Sequence, residues 1–197
     1  VVLAVAGNTQ INSIEVTTAD ADETTTTYEE PVAPTVPEVE SIAEFNALEK
    51  NAEAQLNFSA EKNVQVVFVN KNEEKNREYV ILQDNEKSRI VLYNMGVADV
   101  LKANDVLTGS LTGKNSPYYG MAEMAKTANT DASTIVATEG TAIKPDVLGS
   151  VKAAFDPFKI LKLCQIQNVV IATDGTRRYA VEGEDRIEIR DNFSVGY

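Results

Sequence analysis

Tyr79-Val-Ile-Leu-Gln-Asp84 and Arg89-Ile-Val-Leu-Tyr-Asn94 are two alternating apolar runs separated by the polar segment Asn85-Glu-Lys-Ser88. Successive side chains of a strand point to opposite faces, so this pair predicts a β-hairpin with one buried side. Val80, Leu82, Ile90 and Leu92 share one face and should fill a core, while Tyr79, Ile81, Gln83, Arg89, Val91 and Tyr93 point the other way. A fainter copy lies near the C-terminus, in Tyr179-Ala-Val-Glu-Gly183 and Arg186-Ile-Glu-Ile-Arg-Asp-Asn192. The landmark pairs Asn63/Asn168, Tyr79/Tyr179 and Arg89/Arg186 recur in the same order at similar spacing. Self-similarity of that kind implies a duplicated structural unit. A repeated hairpin in a β-rich chain suggests two small barrels in series.

Upstream of the hairpin, Gln55-Leu-Asn-Phe58 and Val64-Gln-Val-Val-Phe-Val69 alternate in the same style, and the polar break at 59–63 suits a bend in one long first strand. The charged stretch 71–77 reads as a loop. Ser41-Ile-Ala-Glu44 is a capping-box pattern, with Ile42, Phe45 and Leu48 on one face, which predicts a short amphipathic helix ending near 50–51. Downstream, Val97, Val100 and Leu101 suggest a helical turn over 96–102. Val106-Leu-Thr-Gly-Ser-Leu111 reads as another strand, Pro117-Tyr-Tyr-Gly120 as a turn, 121–124 as a short edge strand and 134–137 as a further one.

Pro145 begins the link to the second unit, in which 151–158 mixes helix and turn signals and 161–166 and 168–172 read as strands. That copy stops before any counterpart of 106–113. At the other end, Val1 in place of Met suggests an excerpt or a processed product. Residues 1–17 read as a β-hairpin that either packs on the body or ends a preceding β-sandwich. Residues 18–40, with Thr24-Thr-Thr-Thr27 and prolines at 31, 34 and 37, read as an extended acidic linker. The expected organisation is therefore hairpin 1–17, linker 18–40, barrel 41–145 and a partial second unit 146–197.

Composition narrows the chemistry. The 197 residues contain no His and no Trp. Without imidazole there is no Ser-His-Asp or Cys-His catalysis and no His-bearing zinc site. The single cysteine, Cys164, forms no internal disulfide, and its alternating neighbours suggest a buried, inert thiol. No apolar run approaches the roughly 18 residues that span a membrane. The net charge is −12, but the first 40 residues hold eight acids and no base, so the remainder carries only −4. By composition, no basic face is evident. Gly109-Ser-Leu-Thr-Gly113-Lys-Asn115 fails as a phosphate loop, having three residues between its glycines and Asn after Lys. Asp84-Asn85-Glu86 is hairpin-turn chemistry and lacks the spacing of a calcium loop. The sequons at Asn57 and Asn192 are treated as chance. No cofactor or metal is expected, nor is catalysis.

The hairpin, together with Leu101-Lys-Ala-Asn-Asp105-Val-Leu-Thr-Gly-Ser-Leu-Thr-Gly113 and Tyr119-Gly120 near Glu123-Met124, resembles the pattern of OB-fold domains. Such domains recur in tandem in secreted or surface lipoproteins of gut Bacteroidetes and are labelled nucleic-acid-binding-like. The resemblance covers about 41–145 well and 146–197 weakly, and departs where Asn104 replaces the usual Gly before the fourth strand, a change that Asn tolerates. It implies a mainly β chain: an OB-fold-like Greek-key barrel followed by a second related OB-like unit, with a short N-terminal helix and a preceding hairpin. It also implies an exported location and a ligand face on the second and third strands and their loops. On that face Tyr79 and Tyr93 accompany Arg89, offering rings for stacking and a cation; cross-strand tyrosines could equally just support the sheet. Tyr118 and Tyr119 lie in the loop between the last strands, where they could bind or cap the barrel end. The candidate ligands are an oligosaccharide or single-stranded nucleic acid, other domains of the same polypeptide are possible partners, and a pure spacer role is the alternative.

Overall fold

The computed structural model describes residues 36–190. The expected hairpin over 1–17, residues 18–35 of the linker and the last seven residues lie outside that range.

The chain from Glu38 to Thr138 forms one closed sheet. Its strands are β1 (Glu38–Val39), β2 (Glu53–Phe58), β3 (Gln65–Asn72), β4 (Arg77–Gln83), β5 (Arg89–Tyr93), β6 (Val106–Asn115), β7 (Glu123–Ala125) and β8 (Val136–Thr138). β2 and β3 are two halves of one first strand, interrupted at 59–64, and both pair antiparallel with β6. β3, β4 and β5 form an antiparallel meander, β5 pairs parallel with β7, and β7 pairs antiparallel with β6. That circuit is the five-stranded Greek-key closure of an OB-fold, so the chain is mainly β with an OB-like barrel.

The alternation read from the hairpin holds. Val80, Leu82, Ile90 and Leu92 are fully buried and meet Leu56, Val66, Leu107, Leu111 and Met124 in one core. A helix, α1 (Ile42–Asn46), closes one end with the buried side chains of Ile42 and Phe45. Burying each of these is worth roughly 1.5–3 kcal/mol. Ser41 Oγ accepts the Glu44 N–H at 3.2 Å, and Glu44 Oε2 accepts the N–H of Glu40 at 2.8 Å, a capping box displaced by one residue.

Several boundaries differ from expectation. The helix is five residues long and stops well before 50, because the Ala47 N–H turns onto the carbonyls of Ala43 and Glu44 and the chain then swings into β2. The loop read over 71–77 narrows to a four-residue turn, 73–76: β3 runs to Asn72 and β4 starts at Arg77, with Asn76 left-handed (φ 47°) between them. Residues 123–125 are not an edge strand, since β5 on one side and β6 on the other make them the barrel's closing strand. Glu38 and Val39, read as the end of the linker, pair parallel with β2. Cys164 is half-buried rather than buried. The turn at 96–101 does form, with Val97 and Leu101 buried and Val100 exposed. Glu78 tethers it by accepting the N–H groups of Gly96, Val97 and Ala98 at 3.1, 2.7 and 2.8 Å.

Residues 146–190 contain β9 (Asp146–Leu148) and β10 (Cys164–Ile166), paired parallel, and single 3₁₀ turns at Lys152–Phe155 and Pro157–Lys159. An antiparallel meander of β11 (Val170–Asp174), β12 (Arg177–Glu182) and β13 (Asp185–Ile189) follows. The meander repeats the strand order of β3–β4–β5. Asn63 and Asn168, the landmarks that precede β3 and β11, are both left-handed, at φ 45° and 58°.

Gly109 sits in the middle of β6 at φ 93°, and a Cβ built there would lie 2.0 Å from the carbonyl oxygen of Thr134. Gly109→Ala should therefore destabilise the barrel by at least about 1–3 kcal/mol, read as a lower urea midpoint with an unchanged slope.

Candidate nucleic-acid interface

The outward face of β4 and β5 is built in rows set by strand register. Tyr79 is opposite Tyr93, Ile81 opposite Val91 and Gln83 opposite Arg89. β7 extends two of these rows, placing Glu123 beside Val91 and Ala125 beside Tyr93. The Tyr79 and Tyr93 rings lie 5.3 Å apart, tilted by 50°. Beyond them, Tyr118 and Met121 exchange backbone hydrogen bonds of 3.0 and 2.9 Å around a two-residue turn. Both turn residues, Tyr119 (φ 47°) and Gly120 (φ 81°), are left-handed, as a type I′ turn requires. Holding an aromatic residue at positive φ is costly. Here the turn presents a ring that is 88% exposed and stands edge-on to Tyr118, with centroids 4.5 Å apart.

These elements enclose a groove of about 540 Å³. Tyr79, Tyr93, Tyr118 and Tyr119 line it, with Ile81 and Val91 as floor, Met121 and Leu161 as apolar walls, and Lys75, Arg77 and Arg190 contributing positive charge. Four of the five residues singled out from the sequence are thus brought together. Arg89 is not among them. It lies at the opposite end of the strand pair, where its Nε donates to Gln83 Oε1 at 3.0 Å and its Nη1 to the carbonyls of Phe158 and Ile160 at 3.1 and 3.3 Å. Its guanidinium fastens the segment 157–160 to the barrel.

The groove also gathers residues that sequence reasoning missed. Arg77 is two positions before Tyr79 and shares its face by alternation, a signal masked by the charged run 71–76 that precedes it. Lys75 comes with the same turn. Arg190, whose guanidinium bonds Glu188 at 2.9 and 3.2 Å, arrives from the far end of the chain. Glu123 reaches the face only through the parallel pairing of β7 with β5, for which the sequence carries no local sign. Glu123 is 8% exposed, and its carboxylate has no hydrogen-bond or ion-pair partner among the described residues. Burial pushes its pKa above the ordinary carboxylate value. Ionisation at this position therefore costs stability at neutral pH, a cost relieved as pH falls through the raised pKa. No group of three or more His, Cys, Asp or Glu side chains among the described residues could hold a metal ion.

No protein-family model matches the chain. No curated protein matches it either. Among solved structures, the second OB-fold domain of replication protein A from Methanococcus maripaludis is similar at 19% identity, over 50% of this chain and 95% of that one, with a TM-score of 0.30. A likeness at that level adds nothing to the fold assignment, which rests on the strand order.

The wall that carries Leu161 is itself pinned. Asp146 accepts from Lys159 at 2.7 Å and from Lys162, and these two bonds hold its pKa down to about 2. Because the folded pKa lies below the unfolded one, the stabilisation is fully present above about pH 5 and is lost as pH falls towards 2. Asp146→Asn should lower the urea midpoint at pH 7 by an amount that shrinks as pH falls from about 5 and vanishes only below about pH 2; a difference independent of pH would assign the effect to packing instead.

Proposed function

We propose that the chain is a non-catalytic module that binds single-stranded nucleic acid on the outward face of β4 and β5. The observation that carries this reading is the convergence of four tyrosines and three basic side chains on one groove, in a protein of net charge −12. Composition averages this local charge away. Unpaired bases expose faces that stack on aromatic rings, and phosphates favour a basic rim. The groove volume falls in the range of sites that enclose a small ligand, so about one or two bases would enter it. A neutral oligosaccharide would use the same rings but gains little from Lys75, Arg77 and Arg190, which favours the nucleic-acid reading.

Residues 146–197 are read as a partial second OB-like unit, supported by the matching meander and the left-handed Asn63 and Asn168. It would serve the first unit's groove by lending Leu161 and Arg190, and Arg89 would be its fastening. The exported setting belongs to this reading through the resemblance alone.

Fluorescence anisotropy of the full chain with labelled oligothymidylate, alongside a glycan array, tests the proposal. Tyr79→Ala and Tyr93→Ala should each weaken oligonucleotide binding roughly 5- to 150-fold, the span expected for one stacked base. The circular dichroism spectrum should not change, because both rings lie outside the barrel core. With Arg190 already committed to Glu188, Lys75 and Arg77 are the cations left for phosphates, and log K against log salt should fall with a slope of about −1.4. Glycan binding without oligonucleotide binding would turn the reading to an oligosaccharide, and binding to neither would leave a spacer.

A further inference from the structure

We propose that Glu123 reads the Watson–Crick edge of a base held in the groove and makes the site prefer guanine. The inference rests on the single-strand reading above. Its physical basis is a largely buried acid, 8% exposed, whose carboxylate lines the groove and has no partner among the described residues. A carboxyl group in that state has lost much of its hydration and meets solvent only through the groove, so donors on a ligand would supply what the fold withholds.

The position of Glu123 decides which part of a nucleotide it meets. The side chain sits at the end of the Ile81–Val91 floor, in the row beside the Tyr79–Tyr93 pair. A ring stacked on those tyrosines would direct an edge, not a phosphate, towards β7. Phosphates would be repelled from the acid and drawn to Lys75, Arg77 and Arg190. No cation is close enough to Glu123 to offset its burial, so its charge is uncommitted and free to select.

Ionised, a carboxylate only accepts hydrogen bonds, and its two oxygens suit two parallel donors. Guanine alone offers such a pair on that edge, N1–H and the N2 amino group. Adenine and cytosine each place a ring acceptor beside their amino group, and thymine flanks its one N–H with two carbonyls. Both arrangements set an acceptor against a carboxylate oxygen. Glu123→Gln replaces one acceptor with an amide donor and leaves a donor–acceptor pair, which complements adenine and cytosine instead.

The test is anisotropy at pH 8 with the full chain and nine-residue DNA strands of repeated TTG, TTA, TTC or TTT. The wild type should bind TTG at least about fivefold more tightly than the other three. Glu123→Gln should lose that preference and favour TTA or TTC, whereas Glu123→Ala should bind all four alike; circular dichroism checks that each variant folds. Equal wild-type affinities for the four strands, or a TTG preference that survives both substitutions, would overturn the role of Glu123 and leave the single-strand reading standing. Binding to none of them would overturn both.

Discussion

Closure of the barrel depends on β6. This ten-residue strand pairs with β2, β3, β7 and β8, and so joins both halves of the first strand to the last. A sheet that closes has no exposed edge to satisfy, but one strand must bend enough to serve neighbours on both sides. β6 does so with Leu107 and Leu111 in the core and two glycines where side chains would collide. Gly109 lies under the Thr134 carbonyl, and a Cβ at Gly113 would meet Met124 and Met95. The groove inherits this geometry. Because β6 holds β7 against β5, Glu123 comes to lie beside Val91, and the Tyr119 turn lines the same groove as the tyrosine pair.

What could be read from the sequence follows the range of the interactions involved. The hairpin and its two faces were legible because a period of two is a local property, and four buried side chains fell where alternation put them. The capping box at Ser41 and the polar turn at Asp84 are local too. Asp84 is buried and its Oδ1 accepts the Ser88 N–H at 2.8 Å, as expected of a hairpin turn and not of a cation site. Nothing local marks 123–125 as the closing strand rather than an edge, because three residues carry no periodicity and their partners, β5 and β6, are fixed only by the closed topology.

Charge was the least legible quantity. Alternation correctly put Arg89 on the outward face, but facing outward does not decide what a side chain binds. The planar guanidinium spreads its donors in a fan, which suits it to spanning two carbonyls and an amide oxygen at once. The segment 157–160 supplies those carbonyls, and nothing near Arg89 in sequence announces them. Arg77, at the start of β4, is the arginine of the hairpin region that reaches the groove.

The groove therefore has a polarity that no single strand encodes. Two of its walls carry bulky residues at positive φ, Tyr119 at 47° and Leu161 at 60°, a conformation that each residue adopts at a cost. Strain of this kind persists only where surrounding contacts enforce it, here the Tyr118–Met121 bridge on one side and the Asp146–Lys159 and Arg89–carbonyl ties on the other. Between those walls the floor is apolar, the acid is buried at one end and the cations lie at the rim. A ligand that is flat in the middle, rich in donors at one edge and anionic outside matches all three regions at once. A sugar matches only the first two.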